Sequence, residues 1–227
     1  MKTKLSIIVP ALNEEKRINQ ALKSITEEFK DAEVIVVSDG STDKTTEIVR
    51  KYVKIKLIES EKTEGKGASI VKGFRAADGE VIGFLDADGS FKPKDVKELL
   101  KQLRGDVDCV VASKWVGKRF HEVGETTFRK ISSRAWNMLL RALLGLDLCD
   151  TQAGAKFLKK KAFESIDTEY ITAGFEYDVE LLYRLKRKKY KIKEVYIPFE
   201  DVAESTFRYG KTPTMFLSLL RIWWNTK

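Results

Sequence analysis

The chain opens on a dense apolar run at 5–9, Leu-Ser-Ile-Ile-Val, stopped by Pro10. Similar short runs recur at 34–37, 55–58, 81–85 and 107–112, separated by polar turns. Runs of this length predict strands. One without polar interruption, such as Val34-Ile35-Val36-Val37, predicts a strand covered on both faces. Between the runs, apolar positions fall three and four apart. That spacing predicts a helix from Asn13, as N-cap, to about 29, and others at 45–52, at 68–77 and after Pro93, which suits a helix start. Strands alternating with helices over short links predict an α/β fold, a doubly wound, mostly parallel sheet flanked by helices.

The second half is less regular. Residues 114–120 form a basic, aromatic loop without a clear period, of the kind that covers or admits substrates. Behind Arg129-Lys130, the apolar residues Ile131, Ala135, Met138, Leu139, Ala142 and Leu143 lie at helical spacing, with Arg134 and Arg141 among them. Such a stripe packs on a core or, being basic, lies on a membrane surface. A short strand around Phe157, a helix at 177–188 and an alternating strand at 192–197 follow. The segment 215–227, with Trp223, Trp224 and Lys227, is a second amphipathic element open to the same two readings.

Polar residues gather in the turns that follow strands. Asp86-Ala87-Asp88 comes directly after the run at 81–85. Side chains two apart on an extended chain point to one side, so two carboxylates leave that strand end together. Hard oxygens of this kind suit Mg2+ or Mn2+ carrying phosphates, although Asp-Ala-Asp-Gly-Ser is also good turn chemistry. Pro10-Ala11-Leu12-Asn13-Glu14 follows the first strand and Ser38-Asp39-Gly40-Ser41 the second. Parallel strands end on the same side, so the three turns should converge where open α/β sheets bind ligands. There Asp39 can take a ribose hydroxyl or a base donor. Lys66, placed ahead of a helix, can reach a phosphate or remain a solvated loop lysine. A nucleotide with its diphosphate on a metal is the natural occupant. Asp150-Thr151-Gln152-Ala153-Gly154 reads either as site chemistry or as a helix cap and turn.

Composition narrows these readings. In 227 residues, 42 Lys and Arg stand against 34 Asp and Glu, a net charge of +8 that favours phosphates, nucleic acid or anionic lipid. The prominence of acidic turns argues against nucleic acid, which asks for one basic face. Cys109 and Cys149 are far apart and suggest no disulfide framework, which fits a reducing cytosol. With His121 as the single histidine, neither a Ser-His-Asp site nor a histidine-based zinc site is expected. Gly65-Lys66-Gly67 is not a complete dinucleotide fingerprint, and Gly210-Lys211-Thr212 has Ser205 where a phosphate loop needs glycine. The chain enters a strand too soon for a signal peptide, and no apolar stretch reaches bilayer length.

In order and spacing, 5–14, Ser38 to Asp43, Gly65-Lys66-Gly67 and Asp86-Ala87-Asp88 together resemble the family 2 glycosyltransferases of GT-A fold. The later segments 113–116, 128–133, 150–154 and 208–211 resemble the dolichyl- or polyprenyl-phosphate hexosyltransferase branch. The resemblance implies one domain over 1–227, with a nucleotide-sugar half at 1–112, an acceptor half at 113–211 and an amphipathic tail at 212–227. It implies inverting transfer of glucose or mannose, from UDP-glucose or GDP-mannose, to polyprenyl or dolichyl phosphate, with Mg2+ or Mn2+. Pro10, Ala11, Asn13, Glu14, Asp39, Lys66 and Asp86 would hold the donor. Asp86, Asp88 and Ser90 would serve the metal, Ser90 standing where relatives typically carry Gln. Lys114 (Arg in many relatives), Arg129, Ser133 and Arg208 would take the acceptor phosphate. Asp86 and Asp150 would be the catalytic pair, Asp150 orienting the acceptor or acting as base. A transferase acting on a sugar or protein hydroxyl would need Asp150 as a true base. No Gln-x-x-Arg-Trp motif points to a processive polymerase. The lipid acceptor implies peripheral attachment at the cytoplasmic face of a membrane.

Overall fold

The computed structural model describes residues 5–166, 172–174, 176–200 and 212–225; side chains of the last segment are described only at 218–224. Seven strands make one sheet in the order β3-β2-β1-β4-β6-β5-β7. The strands are β1 (Leu5–Ala11), β2 (Glu33–Asp39), β3 (Lys56–Ser60), β4 (Val81–Leu85), β5 (Cys109–Ser113), β6 (Ala155–Lys159) and β7 (Ile192–Tyr196). The helices are α1 (Ile18–Glu28), α2 (Thr45–Arg50), α3 (Lys66–Ala76), α4 (Pro93–Lys101), α5 (Thr127–Leu144), α6 (Lys160–Ile166), α7 (Tyr177–Arg187) and α8 (Thr212–Asn225). All five strands expected in the first half are present. The first four pair in parallel, with β1 at their centre between β2 and β4. Ile7, Ile8, Val9 and the whole run Val34 to Val37 are buried, as expected of strands covered on both faces. Helix α3 packs across β1 and β2, α4 on β5, and α6 against α7.

The sheet is mixed because β6 runs antiparallel between β4 and β5. Its register sets Phe157 opposite Gly83, where an added Cβ would stand 2.0 Å from the Phe157 ring. Gly83 thus leaves the space that Phe157 fills. The next residue outward, Lys156, is fully buried, yet it donates to Asp178 Oδ1 and to the Ala153 carbonyl, each at 2.7 Å. A buried ammonium is tolerated when it is paired and hydrogen-bonded.

Several local expectations are corrected. Asn13 does not cap α1; the preceding residue is Arg17, without a side-chain cap. Lys66 lies inside α3 as its first residue rather than in a loop before it. On α5, capped by Thr126 and ended by Gly145 at φ 63°, the buried positions are Lys130, Asn137, Leu140 and Leu144. The apolar residues read there as one stripe divide: Leu139 packs against the core, whereas Ile131 and Met138 are 57% and 72% exposed, with Phe128 at 64%. On α8, Leu219 and Ile222 are buried, whereas Trp224 is 70% exposed.

Candidate active site

The carboxyl ends of β2, β1 and β4 are neighbours at one edge of the sheet, and the loops leaving them are tied together. Asn13 stands in the left-handed region at φ 55°. Its amide donates to Ser41 Oγ at 3.1 Å, and its Oδ1 accepts from the Thr42 amide at 2.9 Å. Glu14 N donates to Thr45 Oγ1 at 2.7 Å and Glu15 N to Asp43 Oδ2 at 3.0 Å. The side chain read as a helix cap is therefore spent joining two loops, which fixes the edge on which Pro10 and the buried Ala11 lie. Asp39, also buried, accepts from the Glu64 and Gly65 amides, one on each oxygen and both at 2.8 Å. It holds the entry to α3 and so sets the position of Lys66.

Lys66 Nζ reaches Asp86 Oδ2 at 2.7 Å. The Asp86 amide donates to the Gly154 carbonyl at 2.9 Å, and an added Cβ on Gly154 would stand 2.5 Å from Asp86 Oδ2. The Asp86 carboxyl is pushed up to about 6, chiefly by burial, with the charges of Asp88 and Asp178 adding to the rise and Lys66 opposing it. Glu14 is also raised, first by burial, with Arg17 opposing and the charges of Asp88 and Asp43 adding to it. Glu14, Asp86 and Asp88 thus form one acidic field. Asp88 Oδ1 accepts from the Ser90 amide at 2.9 Å, and Ser90 is itself buried.

This donor set suits a divalent cation. Asp86 Oδ1 is buried without a hydrogen-bond partner. A buried carboxylate oxygen left bare is costly, and a hard cation would satisfy it. Among the described residues, no three His, Cys, Asp or Glu side chains converge on one point. The chain's share is then the Asp86–Asp88 pair, with further ligands from a diphosphate and water, the way Mg2+ is commonly held.

The second cluster begins at Asp150. Buried Asp150 lies 3.9 Å from Lys114 Nζ, and Lys114 also pairs with Glu125 Oε1 at 3.0 Å and lies over the Phe199 ring. Glu125 Oε2 is the second buried carboxylate oxygen without a partner. Ser133 Oγ accepts from the Trp115 indole at 3.3 Å, and Arg134 stacks on the same ring. Arg129, half-exposed in the first turn of α5, follows the Thr126 cap. Arg208 lies outside the described residues. The short segment from Asp150 to Gly154 runs from the Lys114 cluster to Asp86, so the two clusters belong to one site.

The family model described as Glycosyl transferase family 2 matches residues 6–167. The chain belongs to that family. Its GT-A fold is shared with glucosyl-3-phosphoglycerate synthase from Mycobacterium tuberculosis, solved with Mn2+, uridine diphosphate and phosphoglyceric acid. That match has a TM-score of 0.76 at 21% identity, over 99% of this chain and 78% of the other. The same protein has also been solved with Mg2+ and uridine diphosphate. Among curated relatives, the chain is 30% identical to the dolichyl-phosphate beta-glucosyltransferase ALG5D of Trichomonas vaginalis, over 96% of its own length and 72% of the relative. It is 28% identical to glycosyltransferase AglD of Haloferax volcanii, of which it spans 37%.

Within this family 2 glycosyltransferase, sequence reading overlooked Glu125, Asn137 and Glu194. Asn137 Oδ1 accepts from the Thr151 amide at 3.3 Å and hydroxyl at 2.9 Å, holding one side of the Asp150 turn. Glu125 stands next to the helix-capping Thr126, the one local signal that the loop before α5 is ordered.

Proposed function

We propose that this glycosyltransferase moves a hexose, glucose in the first instance, from a uridine diphosphate sugar to a polyprenyl phosphate of the dolichyl type. The observation that carries the reading is the pairing of two unlike clusters in one site. An acidic turn with a bare, buried carboxylate oxygen lies at one end of the 150–154 segment, and a lysine-bearing cluster beside α5 lies at the other. The first suits a metal-bound diphosphate, the second an anionic acceptor. The dolichyl-phosphate glucosyltransferases among the relatives support the same pairing of substrates.

Asp86 and Asp88 would hold Mg2+ or Mn2+, which neutralises the charge that develops on the departing nucleoside diphosphate. Pro10, Ala11, Asn13, Glu14 and Asp39 shape the base and ribose end. Lys66, now on Asp86, is within reach of the same phosphates. Lys114, Arg129 and Ser133 receive the acceptor phosphate and bring two anions together, a positioning task. A phosphate oxygen is already a nucleophile, so it attacks the anomeric carbon as the bond to the diphosphate breaks on the opposite face. Asp150 then orients Lys114 and the acceptor rather than removing a proton.

The acceptor is a membrane lipid, and no helix among the described residues is long and apolar enough to cross a membrane. We therefore propose peripheral binding at the anionic cytoplasmic leaflet. Exposed Phe128, Ile131 and Met138 on α5, and Trp224 on α8, would enter the interface, with Arg134, Arg141 and Arg221 nearby in sequence.

The test is transfer from a panel of radiolabelled sugar nucleotides to a short polyprenyl phosphate with Mn2+, beside phosphoglyceric acid and simple sugars as acceptors. Glucosyl transfer to the lipid phosphate is expected. Transfer only to a soluble phosphate or a hydroxyl would overturn the acceptor assignment.

A further inference from the structure

Glu194 lies in the middle of β7, on the outer edge of the sheet, where an alternating pattern would leave it to solvent. It is instead half-buried and turned onto the loops of the second cluster. Its Oε2 accepts from the Cys149 amide at 2.8 Å, and its Oε1 from the Cys149 and Asp150 amides at 3.0 and 2.6 Å. Two successive amides pointing to one spot form a small anion-binding concavity, filled here by a carboxylate of the chain itself. The Ser113 hydroxyl lies near enough to Glu194 to favour its charged form. The same hydroxyl accepts from the Trp115 and Val116 amides at 3.1 and 3.3 Å. One carboxylate therefore grips the turn that carries Asp150 and sits beside the Ser113 hydroxyl that holds the turn carrying Lys114, whose own amide reaches Asp150 Oδ2 at 3.5 Å. The opposite side of the Asp150 turn is held by Asn137 through Thr151.

We infer that Glu194 is a positioning residue for the transfer reaction: it fixes the Asp150 carboxylate against Lys114 without touching either substrate. The inference rests on the acceptor-side role proposed above for Asp150 and Lys114. Catalytic groups misplaced by about 1 Å lose on the order of a hundredfold in rate. Glu194 lies away from the Asp86–Asp88 turn, so donor binding should not depend on it.

The test uses the full chain with UDP-glucose, polyprenyl phosphate and Mn2+. Glu194→Ala should lower kcat by about 10- to 100-fold. The affinity for UDP with Mn2+, read by calorimetry, should stay within about twofold. Glu194→Gln should restore most of the rate, because one amide oxygen can accept from both backbone N–H groups. Against an Asp150→Asn background, Glu194→Ala should add less than about threefold, since coupled residues are not additive. An undiminished effect in that background, or equal loss of rate and nucleotide affinity, would overturn the inference. Glu194→Asp provides a variant that keeps the charge but shortens the reach, and an unchanged kcat there would overturn it too. Failure of the underlying reading is separable. A wild-type kcat in Asp150→Asn refutes the role of Asp150. Unchanged amide hydrogen exchange at Cys149 and Asp150 in Glu194→Ala refutes the clamp itself.

Discussion

Gly154→Ala is the sharpest perturbation of the donor side, because it adds one methyl group at the point where the acceptor half touches the metal pair. The new Cβ would stand 2.5 Å from Asp86 Oδ2, 2.8 Å from its Cγ and 3.1 Å from its Cβ. Ordinary contact between such atoms begins about 1 Å further out than the closest of these. The carboxylate has little room to yield. Its backbone is tied to the Gly154 carbonyl at 2.9 Å, and Oδ2 is held by Lys66 at 2.7 Å. Either the core absorbs the overlap, at about 1–3 kcal/mol, or the carboxylate turns away and loses a charge-assisted hydrogen bond worth about 1.5–3 kcal/mol. For a chain of this size, each kcal/mol lowers Tm by about 2–4 °C, so a fall of several degrees is expected. A metal ligand displaced by close to 1 Å should weaken Mn2+-dependent UDP binding by about a hundredfold, whereas metal-free UDP binding changes little. Titration calorimetry with and without Mn2+, beside a thermal melt, reads both. Gly124→Ala is the control: nothing lies within 4 Å of an added Cβ there, and its φ is not positive. If Gly154→Ala binds UDP and Mn2+ within threefold of wild type at an unchanged Tm, Asp86 is not the metal ligand inferred here.

Asp88→Ala should abolish the Mn2+-dependent part of UDP affinity; calorimetry that shows the same metal increment in wild type and variant would remove Asp88 from the site. Acid should weaken metal-dependent binding in wild type. Asp86 must be ionised to hold the cation, and its carboxyl is raised to about 6, so the affinity at pH 5 should be about tenfold below that at pH 7, with most of the loss below pH 6. A flat profile over that range would refute the raised value. Arg129→Ala should reduce transfer to polyprenyl phosphate at least tenfold with nucleotide affinity nearly intact; equal loss of both would make Arg129 a donor or folding residue. The full chain should co-sediment with anionic liposomes at low salt, and less so at high salt. Removal of the residues after Pro213 should reduce that binding more than donor affinity, and a full chain that stays in the supernatant would leave α5 and α8 as packing elements.

The donor half was legible because its signals are local. An unbroken β-branched run and two carboxylates two residues apart mean the same thing wherever they occur, and β2 and Asp86-Ala87-Asp88 stand where that rule puts them. Local rules failed where a distant residue claimed the side chain. Asn13 has the chemistry of a cap, but the Thr42 amide, 29 residues on, takes its oxygen. The short strand around Phe157 was legible, but its full burial was hidden by Lys156, since a lysine in a short apolar run argues against burial until Asp178 is known to meet it, and no local signal gave its antiparallel seat. Helical periodicity placed Ile131 and Met138 on one side of α5, but it cannot say whether that side meets protein. Glu194 left no trace, because a charged residue in an alternating strand normally faces water.

The antiparallel seat of β6 has a consequence for how the molecule is assembled on the ribosome. Strands β1 to β4 can join as soon as each is made, but β4 then presents an unpaired edge until residue 155 has emerged. Strand β5 cannot close that edge; it reaches the rest of the sheet only through β6, and β7 in turn hangs on β5. For that interval, buried Ile82, Phe84 and Leu85 on one side and Val110 and Val111 on the other border open strand edges, the exposure that invites misassembly. Closing so long a loop makes β6 insertion the natural slow step of folding. That step also brings the Gly154 carbonyl to the Asp86 amide. A chain halted before it would carry both carboxylates of the metal pair in sequence but lack the contact that seats one of them, so donor binding can serve as a readout of completed folding.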